Sequence, residues 1–374
     1  MPLELAAFLR TTLPLDLRTL DALDDGRYHS IWMPDHLVSF WPDSIWTPEF
    51  TDLAEVSPSP HRYLDVLPLA GAVAARTART RLATSVVDTV RRHPVMLAQS
   101  ALTLSHLSDG RFILGLGAGE RENLAPYGFD DRAAVSRFAE AVRLIRSLWS
   151  TAGPVDFEGE FFTLEHARLD AEPHHTGTPP IWIGANGPRM LRLVGELGDG
   201  WWPTGSAEPD IYAAQLVRIR EAAEQAGRDP DAITPAKMVV CLIGEPDELD
   251  VIMQRPLVKS LVLQLTAEAL RAAGHDHPMG ERWRGIQDID PRALTRDRLL
   301  RLLDEVDPAA ILSVVPHGTP KRVAEQIAAF GEAGARVVAV LDYSAMAGQD
   351  YAAASPSKVR EVEDALLTLT GSTR

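Results

Sequence analysis

Asp35 and His36 stand side by side where the apolar run HSIWM gives out at Pro34. Histidine is the side chain most easily poised as an acid or base near neutral pH. A lone histidine is more often structural, and this chain has 11. His36 is set apart by the acid before it and by the aromatic-rich stretch FWPDSIWTPEF after it. A second cluster closes another apolar run: in LGLGAGERENLAPYG, Gly115, Gly117 and Gly119 lead into Glu120 and Asn123. A third is GANGPRM, where Gly184, Ala185, Asn186, Gly187 and Pro188 precede a helical pattern and leave free amides to face an anion. Arg189 and Arg192 lie in the first turns of that helix, and Arg91 and Arg92 are further cations for the same anion. The chemistry these residues suit is proton transfer beside a ligand anchored by a negative group.

The three glycines invite comparison with the dinucleotide fingerprint, which needs G-x-G-x-x-G between a strand and a helix. Glu120 takes the place of the third glycine, and Pro126 and Gly128 follow before helical periodicity resumes near Ala134. No helix starts at the loop, so that reading fails. Two others stand: glycine lets the backbone approach a flat ring, or it serves only tight packing.

The elements that must position these residues alternate along the chain. LELAAFL, HSIWM, TRLATSVV, FILGL, PIWIGA, DGWWP, AKMVVCLIG and ARVVAVLD read as strands. Helical patterns separate most of them, including one from residue 13 to 23 and one with Val135, Phe138, Val142, Ile145 and Trp149 at spacings of three and four. Pro94 and Pro320 sit at first helical positions, where the missing N–H costs nothing. About eight parallel strands joined by helices predict one α/β domain over residues 1–374, a closed (β/α)8 TIM barrel. Residues 37–62 and 245–308, the latter after the seventh strand, break the rhythm and are expected to be insertions at the C-terminal rim, where active-site loops belong.

Composition narrows the function. The chain has 374 residues, 45% hydrophobic, with a net charge of -15. That balance suits a globular core and excludes a basic nucleic-acid face. The single cysteine, Cys241, lies in an apolar run and reads as core; a disulfide and a multi-cysteine metal site are ruled out, and no metal is expected. The start lacks a leader pattern, and no stretch approaches ~18 uninterrupted apolar residues, so a cytoplasmic protein without a transmembrane segment is expected.

The motifs SIWMPDH, TSVV…RRHPVMLAQ, GRFILGLGAGERENLAPYG, PPIWIGANGPRMLRLVGELGDGWWP and GTPKRVAEQIAAFGEAGARVVAVL resemble, in order over nearly the whole chain, the luciferase-like flavin/deazaflavin oxidoreductases. GERENLAPYG, GPRMLR, GRDPDAITPA and HPMGERWRGIQDI are most similar to the phthiodiolone dimycocerosate ketoreductase branch, which uses the deazaflavin F420. The resemblance implies a bacterial-luciferase-type barrel with the cofactor ring over its C-terminal mouth, and a non-prolyl cis peptide, Ser85–Val86, bulging against it. It places Asp35 and Asn123 at the deazaflavin's polar edge, and Gly184, Ala185, Asn186, Gly187 and Pro188 along its side chain and phosphate. His36 and Glu120 match the pair near the reactive carbon; the mechanism expected from this has His36 donating the proton, Glu120 tuning it or relaying from water, and Asp35 holding His36 or the cofactor. Related sugar-phosphate dehydrogenases carry tryptophan four residues after the histidine; this chain has Phe40 there and Trp41 next. The expected activity is F420-dependent hydride transfer to a ketone or activated alkene, on a small-molecule or lipid-like, polyketide-type substrate, by a homodimer. The alternatives are an FMN-dependent monooxygenase and a non-catalytic deazaflavin- or ligand-binding barrel.

Overall fold

A ring of eight parallel strands organises the computed structural model, which describes residues 3–203 and 208–371. The strands are β1 (Glu4–Phe8), β2 (Tyr28–Met33), β3 (Arg81–Thr84), β4 (Phe112–Gly117), β5 (Ile181–Ile183), β6 (Gly200–Trp201), β7 (Thr234–Ile243) and β8 (Val337–Asp342). Each pairs with the next, and β8 closes on β1 with Leu5 opposite Val338. This is the TIM barrel that the strand count predicts.

Alternation along the strands builds two cores. Phe112, Leu114 and Leu116 of β4 join the apolar layer between barrel and helices, while Ile113 points into the barrel. Inside, Trp32, Trp182 and Trp202 fill space that Ala6, Ala83, Ala236 and Ala339 leave open. The Trp32 and Trp202 rings stack 3.6 Å apart at 6°, a solid floor beneath the mouth.

The outer helices are α1 (Val66–Ala74), α2 (Pro94–Leu107), α3 (Ala134–Ser150), α4 (Pro188–Leu197), α5 (Pro209–Gln225), α6 (Pro320–Glu332) and α7 (Gln349–Thr370). Their starts follow capping chemistry: Asp65 accepts from the Leu67 N–H, Thr319 from the Arg322 N–H, and Pro94 and Pro320 occupy first turns. The helix expected over residues 13–23 shrinks to the turns Leu17–Thr19 and Leu20–Leu23. Asp16 ends its upstream extension by accepting from the Arg18 N–H in extended backbone. An antiparallel hairpin, Val155–Glu158 with Thr163–Ala167, lies between α3 and β5.

Residues 37–62 follow β2, and residues 245–308 follow β7. The latter are mostly short helices, among them Pro246–Met253, Ala267–Ala272 and Arg296–Glu305. The two segments meet in one apolar cluster, where Ile45 and Leu53 pack with Leu257, Leu261 and Leu299. The Arg296–Glu49 ion pair and the Arg296 guanidinium over the Phe50 ring join them again at the edge. Among the described residues no helix is long and apolar enough to cross a membrane.

Candidate active site

Every candidate residue borders one cavity of about 1570 Å³ at the carboxyl ends of the strands: Asp35, His36, Ser85, Val86, Glu120, Asn123, Gly184, Ala185, Asn186, Gly187 and Pro188. The cavity also runs on between strands and helices as far as Lys237, Phe330 and Val359. The cavity as a whole, with that extension, exceeds the usual size of a single-ligand pocket.

The wall beside β3 is built first. The Ser85–Val86 peptide is cis. The chain then rejoins the sheet at Val87, opposite Leu116. The Ser85 hydroxyl accepts a hydrogen bond from Trp202 Nε1 at 3.0 Å, so the aromatic floor holds the bulge from below. Gly115 and Gly117 share the inward face of β4 with Ile113. A Cβ on Gly115 would lie 1.8 Å from the Thr84 carbonyl oxygen, and one on Gly117 would lie 2.7 Å from Val86 Cγ2. Both glycines are therefore required by close packing against the β3 bulge. Of the two readings left open by the sequence, packing accounts for them directly, and the bulge they support faces the cavity.

The ends of the two strands that flank β3 bring His36 and Glu120 together. His36 Nδ1 is 3.2 Å from Glu120 Oε2 and 3.2 Å from Asn123 Nδ2. The Asn123 orientation is fixed by its other end, since Oδ1 accepts from the Leu37 N–H at 2.6 Å and the Val38 N–H at 2.9 Å. Asn123 Nδ2 also reaches Glu122 Oε1 at 3.1 Å and Glu120 Oε2 at 3.4 Å. Asn123 thus shapes the His36 loop while also bordering the cavity. With Nδ1 turned to Glu120, Nε2 is the imidazole nitrogen left for the cavity. Phe40 meets the His36 ring edge-on at 5.3 Å and Tyr63 lies at 5.2 Å, whereas Trp41 is turned to Tyr343.

Burial pushes the Glu120 carboxyl up. The adjacent His36 imidazole, a hydrogen bond with Glu122 and the Arg91 charge outweigh that and hold it below the usual glutamate value. Glu122 goes the other way: burial, and then the Glu120 charge, push it up to about 9. Tyr63 is pushed up to about 12 by burial and then by Glu120. Glu122 escaped the sequence reading because nothing in EREN distinguishes a sealed carboxyl from a solvated one.

Asp35 does not hold His36. Its carboxylate lies between Arg91 Nη2 at 2.8 Å and Arg92 Nη2 at 3.0 Å, with the Asp35 and Arg91 side chains 2% and 8% exposed. Arg91 also pairs with Asp88, and Arg92 with Asp65 at 3.0 Å. These two arginines, expected to face an anion, are instead paired in joining the ends of β2 and β3, because three carboxylates and two guanidiniums meet there. Arg192 is likewise spent, on Glu196 at 3.3 Å. Arg189 borders the cavity and donates to Ser136 Oγ at 3.0 Å.

The GANGP segment has its carbonyls tied down. Ala185 O accepts from Trp201 Nε1 at 2.8 Å, and Asn186 O from Gln215 Nε2 at 3.2 Å. The start of α4, from Gly187 to Met190, borders the cavity. Gly187 caps the helix without a side chain, and a Cβ there would meet nothing within 4 Å. A helix start of this kind suits an anion. A flat ring against the Ser85–Val86 bulge and an anionic arm at α4 both fit the residues present.

The match to known proteins agrees with this geometry. The family model for luciferase-like monooxygenases covers residues 17–336. The chain is 36% identical over 319 residues to the phthiodiolone/phenolphthiodiolone dimycocerosates ketoreductase of Mycobacterium kansasii, covering 84% of this chain and 87% of that one. It is 35% identical over 217 residues, 57% of this chain and 58% of the other, to the F420-dependent glucose-6-phosphate dehydrogenase of Nakamurella multipartita. Among solved structures, an F420-dependent secondary alcohol dehydrogenase in complex with an F420-acetone adduct superposes with a TM-score of 0.72 at 22% identity, over 98% of this chain and 99% of the other.

Proposed function

The chain belongs to the luciferase-like monooxygenase family, and from that premise we propose that it is an F420-dependent oxidoreductase reducing a ketone or activated alkene on an apolar, lipid- or polyketide-type molecule. The observation that carries the reading is the His36–Glu120 pair, 3.2 Å apart, lining the same cavity as the Ser85–Val86 bulge from the strands on either side of it. When bound, F420 supplies a hydride from the carbon that replaces the flavin's central nitrogen.

The chain's own residues supply the rest. Ser85 and Val86 would back the ring, held by Trp202 and by Gly115 and Gly117 of β4. Gly184, Ala185, Asn186, Gly187 and Pro188 would seat the anionic arm at the start of α4. A carbonyl that gains hydride must gain a proton at oxygen, and His36 Nε2 is positioned to donate it while Glu120 orients Nδ1. Asp35 and Asn123 contribute by positioning: Asp35 fixes the β3 loop through Arg91 and Arg92, and Asn123 fixes residues 37 and 38.

An apolar substrate body is supported by Phe40, Trp41, Trp46, Leu261, Ile286 and Val314, which border the mouth. Residues 37–62 and 245–308 act in this reading as a joint rim over that substrate. A homodimer and a cytoplasmic setting complete it, the first open to sedimentation analysis.

Titration of the purified protein with F420 and with FMN, following its 8 tryptophans by fluorescence, tests the cofactor assignment. F420 is expected to quench saturably and to bind at least about tenfold more tightly than FMN, a difference of about 1.4 kcal/mol. Equal or tighter binding of FMN would favour the monooxygenase alternative and overturn the assignment.

A further inference from the structure

Glu122 sits behind the proton-handling pair, on the short helix Arg121–Leu124 whose first cap is Glu120. It is 1% exposed. Its Oε1 accepts from Asn123 Nδ2, and its Oε2 is sealed from solvent with no hydrogen-bond partner if the carboxyl carries no proton. One oxygen from each of Glu120 and Glu122 and one His36 ring nitrogen lie within 4.8 Å of one another. The Asn123 amide N–H groups point into the midst of this group, which suits acceptors sharing protons rather than a cation.

Two carboxyl groups this close, one sealed in the protein, cannot both ionise without a large penalty. The surrounding charges do not relieve it. From the loop after β3, Arg91 acts on Glu120; from the insertion, Arg292 Nη2 reaches only the Glu122 backbone carbonyl, at 3.4 Å. Tyr63 and Tyr343, on the remaining sides, have their phenols pushed upward by burial and by Glu120, so they stay neutral. Among the described residues, His36 is the imidazole that faces the pair.

We propose that Glu122 and Glu120 share a single proton, and that Glu122, as its neutral donor, fixes Glu120 as the anion that turns His36 Nδ1 inward and Nε2 toward the cavity. Glu122 touches neither substrate nor cofactor; it is a positioning residue acting through Glu120. The kinetic part rests on the proposed ketone reduction, and the protonation itself does not.

Glutamine keeps the donor and the shape of a protonated glutamate, while leucine keeps only the bulk. Difference infrared spectroscopy of the ligand-free protein is expected to show a protonated-carboxyl band at neutral pH that is missing in Glu122→Gln and fades as pH rises toward about 9. Stability follows the same proton. With the folded value raised, the contribution is full below the ordinary glutamate value of 4.5 and is lost as pH rises toward about 9. Glu122→Gln should remove that slope in urea unfolding. With the reduced cofactor and a ketone probe, Glu122→Gln should hold kcat within about threefold at pH 7 and lose its alkaline decline, whereas Glu122→Leu should lower kcat about tenfold at unchanged KM. Absence of the band, or equal kinetics for the two variants, overturns the proposal. The infrared result is read without cofactor, so it separates failure of this idea from failure of the cofactor assignment.

Discussion

Replacing His36 with alanine is expected to lower turnover about 10²-fold or more, the usual worth of a positioned acid or base, with F420 affinity little changed. The split follows from the geometry. Nδ1 faces the Glu120 carboxylate, and Nε2 is the nitrogen left for the cavity. The residues proposed to seat the cofactor lie elsewhere, on the β3 bulge and the start of α4. Loss of the imidazole therefore removes a proton donor and leaves the cradle. Steady-state kinetics beside a fluorescence titration of the variant checks both halves. Unchanged turnover would remove His36 from the mechanism; loss of cofactor binding would make it a binding residue instead.

Replacing Asp35 with alanine is expected to unfold the protein more easily, by about 3 kcal/mol, because it removes the carboxylate that two largely buried guanidinium groups share. Arg91 would keep Asp88, and Arg92 would keep Asp65, so the loss stops short of two orphaned charges. The same variant should weaken F420 binding indirectly, since Asp35 ties the loop after β2 to the loop that carries Val87 and Asp88. Urea denaturation measures the first effect. A variant as stable as the wild type would show that the Asp35–Arg91–Arg92 cluster does not hold these loops, and would return Asp35 to the direct cofactor role that the family resemblance suggests.

What could be read from the amino acids follows from what sequence periodicity encodes. The eight strands, and helices such as Pro94–Leu107 and Pro188–Leu197, are legible because apolar spacing and capping residues are local. The helix Gln349–Thr370 was hidden by its alanine- and serine-rich opening and by Pro356 inside it. The hairpin at Val155–Glu158 was hidden because most of its residues are exposed or half-exposed and show no apolar face. At the site, His36 and Glu120 could be singled out because each follows a strand. Their partners could not. Asp35 and Arg91 are 56 positions apart, and His36 and Asn123 87. Which charge neutralises which is decided by the barrel's closure and not by neighbouring residues. Glu122 is the extreme case: its chemistry depends wholly on being sealed behind Glu120.

That closure has a functional consequence. The parallel strands bring His36, the Ser85–Val86 bulge, Glu120 and the start of α4 to one rim from four separate stretches of chain. The paired charges Asp35, Arg91 and Arg92 then stiffen the β2–β3 side of that rim, while Trp202 supports it from within. In the proposed reading, proton donor and ring cradle are carried by different loops on a common rigid base, which is what alignment of a hydride donor with a carbonyl requires.

The most direct measurement is isotope transfer. Reduced F420 carrying deuterium at the carbon that replaces the flavin's central nitrogen is incubated with the protein and a long-chain ketone, and the alcohol is analysed by mass spectrometry. Deuterium on the carbinol carbon, formed by the wild type and strongly diminished by His36→Ala, is the predicted result. An alcohol without deuterium, or product formed only with reduced FMN and oxygen, would contradict hydride transfer at this mouth.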